Sequence, residues 1–203
     1  MRFFDYDYDG PAFVLFGPGH LVALALIAGI VTFLLFGGWN PGDAARRRVR
    51  LSLASILLVT ASSWYIWSLL SGFWTAQEGL PLHICSVGIW TSIYMLAMRS
   101  YPVYEIVFFF GIAGATQAVL TPSAGDYGLP HFWAVQTLAS HGLLIIALVY
   151  MTTIEGFRPT WKSVWKTMIF LNAYALLITA STCSSAATTC TRWASPRPAA
   201  SST

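Results

Sequence analysis

Apolar runs about as long as a bilayer is thick alternate with short polar or glycine- and proline-rich breaks along most of this chain. A helix crosses the hydrocarbon core with about 20 mainly apolar residues. Six segments approach that length, at about residues 19–36, 51–73, 81–98, 103–121, 131–151 and 164–180. The breaks carry turn chemistry: Gly37-Gly38-Trp39-Asn40-Pro41, a basic turn at Arg46–Arg50, Thr75-Ala76-Gln77-Glu78-Gly79, Arg99-Ser100-Tyr101-Pro102, and Pro122 to Pro130. Pro81 suits the first turn of the third segment, where the N–H it lacks has no helical partner anyway. Backbone groups in lipid must be paired within the segment that crosses it. The pattern therefore predicts an all-α fold, a polytopic transmembrane helical bundle forming one domain over residues 1–180.

The sixth segment loses its apolar character after Ala180, and residues 181–203 are dominated by Ser, Thr, Ala, Cys and Pro. One reading is a disordered polar tail. The preferred one is a frameshift product, because restoring a single base after the Ala180 codon permits an apolar frame containing an Asn-Tyr pair. On that reading the sixth span is incomplete, a seventh is lost, the product is truncated, and Cys183 and Cys190 serve no function.

Composition excludes a soluble domain: 56% of residues are hydrophobic, 9% are charged, and mean hydropathy is +0.63. The distribution of charge matters more than its net value. Arg46, Arg47, Arg48, Arg50, Arg99, Arg158, Lys162 and Lys166 fall in alternate breaks, whereas Asp5, Asp7, Asp9, Glu78 and Asp126 fall in the others. Basic loops stay cytoplasmic, so the N-terminus is expected outside. Nothing near Met1 reads as a cleavable signal. Membrane lipids are the expected partners, nucleic acid is not, and the oligomeric state stays open. Trp161–Lys166, basic and aromatic, suits the lipid–water boundary, as do Trp64, Trp67, Trp74 and Trp90. Gly111, Gly114, Ala115 and Ala118 overlay two small-residue patterns that let helices approach closely.

Chemistry is confined to a few polar groups in these apolar runs. His83 and Cys85 open the third segment, His20 and His131 open the first and fifth, and His141 lies ten residues into the fifth. Gln117 and Gln136 add amides at similar depth. Polar side chains inside a membrane normally face the bundle interior or a water-filled cavity, so together these outline an outward-facing pocket. His20, His83 and His131 fit an interfacial role equally well, and Gln117 and Gln136 fit interhelical hydrogen bonding. A cysteine and a histidine are the minimum set for a covalent acyl intermediate. On a regular helix His83 and Cys85 stand about 200° apart, which favours a base from another helix, with His141 the first choice. No cysteine or histidine spacing matches a metal site, and no cofactor is expected.

Phe16-Gly17-Pro18-Gly19-His20-Leu21, Leu80-Pro81-Leu82-His83-Ile84-Cys85, Leu120-Thr121-Pro122, Leu129-Pro130-His131-Phe132, Ser140-His141-Gly142 and Arg158-Pro159-Thr160 occur in the order seen in YwaF-like bacterial membrane proteins. The chain resembles that family, and through it the transmembrane protein 164 family, over nearly its whole length to Ala180. The resemblance implies a multi-pass protein of the bacterial plasma membrane and a cysteine-dependent lipid acyltransferase. It implies Cys85 as the nucleophile with a histidine partner, placed here at His141. His83, His20, Gln117, His131 and Gln136 are left to bind substrate. Two other readings stand beside this one: a carrier or sensor holding a small polar ligand or lipid headgroup, and a structural subunit of a membrane complex.

Overall fold

The computed structural model describes residues 3–72, 83–124 and 127–194, with residues 180–194 described by their backbone alone. The expectations for Phe73–Leu82 (Trp74, Glu78 and Pro81 among them), for Asp126, and for the side chains of Cys183 and Cys190 lie outside the described residues. The described residues form six helices and no strand: α1 (Pro18–Phe36), α2 (Asp43–Leu70), α3 (Ile84–Met98), α4 (Tyr101–Leu120), α5 (Phe132–Thr153) and α6 (Trp161–Ala194). Four of them, α1, α2, α4 and α5, are long and apolar enough to cross a membrane. The fifth apolar helix, α3, has 15 residues. Residues Met1–Thr167 form one compact unit and Met168–Thr203 a second.

Helix α5 is the hub of the first unit, packing against α1, α2, α3 and α4. The reason is legible in its residues. Small side chains at Ala134, Ser140, Gly142 and Ala147 are buried among Leu138, Leu144, Leu148 and Met151, so neighbouring backbones approach from several sides. Of the small residues in α4, Gly111 and Ala115 are buried. A Cβ at Gly111 would come within 2.8 Å of Leu148 on α5, whereas one at Gly114 would meet nothing. One of the two overlaid patterns thus makes the contact. By contrast α1 leaves Leu21, Val22, Leu26, Ile30 and Phe33 exposed, the surface of a helix that faces lipid.

The basic segment is not a turn. Arg46–Arg50 lies within α2, which starts at Asp43 with an acidic side chain against the positive helix end. This phase turns Arg50 inward. Its guanidinium donates to the carbonyl oxygens of Leu96 and Ala97 at the end of α3 and pairs with Glu155 at 3.4 Å. Arg99 approaches the other Glu155 oxygen at 2.5 Å. A second buried carboxylate, Glu105 on α4, accepts from Ser163 (2.8 Å) and Lys166 (2.5 Å) in the first turns of α6. Charged groups in low dielectric persist only when paired and hydrogen-bonded. Both carboxylates at the basic end are paired, and Arg50 Nε, alone among the described side-chain atoms of these clusters, is buried with an ion pair but no hydrogen bond.

The opposite end is closed by the N-terminal segment. Four consecutive carbonyl oxygens, those of Phe3, Phe4, Asp5 and Tyr6, each accept one hydrogen bond from the bundle. The donors are the Phe132 N–H (2.9 Å), Trp67 Nε1 (2.8 Å), His131 Nε2 (3.0 Å) and the Tyr127 hydroxyl (2.9 Å). Trp67 is accordingly buried at 5% exposure instead of anchoring at an interface. Gly128 lets the segment pass, since a Cβ there would stand 2.1 Å from the Pro11 carbonyl oxygen.

Candidate functional site

The N-terminal halves of α3 and α5 and the C-terminal half of α2 border a cavity of about 510 Å³. Its lining includes His83, Cys85, Gln136 and His141, four of the seven residues singled out from the sequence. Trp64 and Trp133 form an aromatic wall with ring centroids 6.3 Å apart. Helical phase explains the polar stripe. Gln136 with Ser140, and Thr137 with Ser140 and His141, stand three or four residues apart and so neighbour one another on α5, and Cys85 and Ile89 do the same on α3.

His83 and Cys85 share this cavity because the helix begins between them. His83 is the N-cap of α3, with extended backbone at φ −75°, ψ 136°. The 200° offset of a regular helix therefore does not separate the two side chains. The thiol of Cys85 is half-buried and forms no disulfide among the described residues. His83 is exposed at the rim.

The protonation of His141 follows from its hydrogen bonds. Its Nδ1 lies 2.8 Å from the Thr137 carbonyl oxygen, which only accepts, so Nδ1 carries the proton of the neutral ring. Ser140 Oγ lies 3.3 Å from the same nitrogen and donates to the same carbonyl at 3.2 Å. The lone pair is left on Nε2, which has no hydrogen-bond partner among the described residues. An imidazole held in this way is suited to accept a proton on one side while its other nitrogen stays fixed.

Gln136 is oriented by the same logic. Its Nε2 donates to the Thr60 carbonyl oxygen of α2 at 3.3 Å, which settles which end of the amide is nitrogen.

His20, His131 and Gln117 are not brought to this cavity. His20 is buried with both ring nitrogens engaged: Nδ1 accepts from the Phe16 N–H at 3.0 Å, and Nε2 donates to the Val119 carbonyl at 2.8 Å. His131 is equally committed, accepting from the Trp133 N–H at 3.2 Å while donating to the Asp5 carbonyl. Gln117 is exposed near the end of α4 and donates to Thr121 Oγ1 at 2.6 Å. Ser86, Ile89, Trp133, Thr137 and Ser140 join the lining without having been proposed as site residues, and so does Trp64, which was expected at the lipid–water boundary. For Thr137 and Ser140 the signal was present, as polar residues one turn and one residue before His141.

Among the described residues, no three His, Cys, Asp or Glu side chains are grouped to hold a metal ion. Comparison with curated proteins gives no match, and comparison with solved structures gives none. The family comparison does match: residues 15–185 fit the TMEM164 family, a stretch that contains α1 to α5, every residue of the cavity and all six quoted motifs. The all-helical chain with its several membrane-length apolar helices is thus an integral, multi-pass membrane protein and belongs to the TMEM164 family.

Proposed function

We propose that the chain transfers acyl groups between membrane lipids through Cys85. The observation that carries this reading is that Cys85 and His141 wall one cavity, with the imidazole already holding its proton on Nδ1 and offering Nε2. His141 Nε2 takes the thiol proton as sulfur attacks the ester carbonyl carbon of a donor lipid. The carbon–sulfur bond forms, the carbonyl electron pair moves to oxygen, and collapse breaks the ester bond. The departing alkoxide recovers the proton from His141, leaving an acyl thioester and a lysolipid. An acceptor hydroxyl then repeats the sequence in reverse and restores the thiol. Splitting the transfer into two easier steps is the general advantage of a covalent nucleophile. His83 at the rim is placed to meet the polar part of a lipid, and the aromatic wall to meet its apolar part.

The direct test is to isolate the protein from native membranes and read Cys85 by mass spectrometry without thiol reductants. An acyl mass on Cys85 that hydroxylamine removes is the expected result. Unmodified Cys85 under conditions of measured acyl turnover would move the reading to a carrier whose cavity holds a lipid headgroup.

We further propose that the protein lies in the bacterial plasma membrane with its N-terminus and cavity mouth outside, on the strength of the clustered basic residues at the other end. Cysteines introduced at Arg47 or Lys162 should react with an impermeant maleimide only in permeabilised cells, and one introduced at Asp9 in intact cells. The reverse pattern would invert the orientation.

A further inference from the structure

A second consequence of the cavity concerns the oxygen of the attacked ester, and it rests on the acyl-transfer reading. When a thiolate adds to an ester, the carbonyl oxygen becomes an oxyanion, and donors already aimed at that position lower the barrier because they need not reorganise. The donor side chains in the described lining differ in how firmly they are held. The Ser140 hydroxyl is committed to the Thr137 carbonyl, which also holds His141 Nδ1, whereas among the described residues no hydrogen bond fixes the hydroxyls of Thr137 and Ser86. His141 Nε2 is needed for the proton. The indoles of Trp64 and Trp133 form the wall, and among the described residues no lysine or arginine lines the cavity.

Gln136 differs from all of these. A carboxamide nitrogen carries two hydrogens. One is committed to the Thr60 carbonyl, itself held by the Ser63 hydroxyl at 2.8 Å. This bond ties the amide to α2 and fixes its nitrogen, and the second N–H has no acceptor among the described residues. Gln136 lies one turn before Ser140 on α5 and lines the same cavity as Cys85 and His141. We infer that Gln136 is the oxyanion donor of the transfer, its second N–H binding the ester oxygen as negative charge develops on it. The proton and bond inventory is unchanged: Gln136 gives up no proton, and the charge it stabilises returns to the carbonyl when the alkoxide leaves.

This assignment separates Gln136 from a residue that merely holds α2 against α5. A structural role predicts lowered stability with little change in kcat per folded molecule. An oxyanion donor predicts a loss in kcat at nearly constant KM, because the bond strengthens only in the transition state.

The experiment uses the full chain reconstituted in vesicles of a diacyl phospholipid bearing a deuterated sn-2 chain, with a lysophospholipid as acceptor. Transfer is read by lipid mass spectrometry and the thioester by intact-protein mass spectrometry. Gln136→Met keeps the volume and removes both donors, and Gln136→Asn keeps the amide but withdraws it by one methylene. Thermal unfolding in the same vesicles scores folding for each variant. The expected result is a fall in kcat of about 10²–10³-fold for Gln136→Met, with KM within a few-fold, slower thioester formation, and a smaller loss for Gln136→Asn. If Gln136→Met transfers at the parent rate while Cys85→Ala transfers nothing, the oxyanion role is overturned and the cysteine chemistry stands. If Cys85→Ala retains transfer, both fall together. A variant that loses stability and activity in proportion, with normal kcat per folded molecule, also overturns the proposal.

Discussion

Cys85→Ala is expected to abolish acyl transfer while leaving expression, membrane insertion and thermal unfolding close to those of the parent. Two features make the variant clean. Cys85 is half-buried at the wall of a cavity, outside the tightly packed core, so the lost sulfur leaves little void. Alanine also suits a helical position at least as well as cysteine. Cys85→Ser should be almost as inactive, because an alcohol is a far weaker nucleophile than a thiol at neutral pH. His141→Ala should retain thioester formation at a rate lowered by about 10²–10⁴-fold, the usual contribution of a positioned base. The ordering matters. Complete loss at Cys85 with partial loss at His141 is the signature of a nucleophile and its base, whereas equal, mild effects would describe a binding pocket.

The largest expected effect on stability lies at the other end of the bundle, at Glu155. Its side chain is 3% exposed and stands between Arg50 at 10% and Arg99 at 54%. Removing it strips the only carboxylate partner among the described residues from a guanidinium that also donates to Leu96 and Ala97 at the end of α3. Breaking a buried pair by deleting one partner costs about 3–5 kcal/mol, because an uncompensated charge is left behind. For a chain of this size that corresponds to a fall in Tm of about 6–20 °C. Glu155→Gln, measured by thermal unfolding in detergent, should show most of this loss, since the amide keeps the shape and removes the charge. Arg99→Ala should cost far less, because a half-exposed partner is screened by solvent. A Tm unchanged in Glu155→Gln would mean that Arg50 is held by its carbonyl acceptors alone.

The contrast between these ends shows what could be read from the residues. The approximate positions of the helices followed from apolar run length, because lipid thickness and internal pairing leave the backbone few choices. Yet among the described residues only four of the six expected spans are helices long and apolar enough to cross, and the last helix runs past its expected end at Ala180 to Ala194. What the run length did not carry was rotation about each helix axis. Arg46, Arg47, Arg48 and Arg50 look alike as a basic cluster, yet only Arg50 is turned into the core by α2. The histidines pose the same problem. All four read as pocket candidates, but the full hydrogen-bonding of His20 and His131 is set by Phe16, Val119, Asp5 and Trp133, partners that no local spacing reveals. His83 was set apart from Cys85 by assuming a regular helix through both, an assumption undone by one extended residue at the N-cap. Cys85 with His141 emerged from chemistry, where residue type carries more information than position.

The segment that closes the cavity end also says something about the order of assembly. Asp5 is bound by a histidine 126 positions later, and Phe4 by a tryptophan 63 positions later. Phe4 and Asp5 therefore lack these acceptor contacts until α2 and the start of α5 have been made and packed. Contacts this distant in sequence form late, since the loops they close must already be ordered. Phe4 and Asp5 are thus among the last residues to settle, and their docking marks a bundle whose second and fifth helices have found each other.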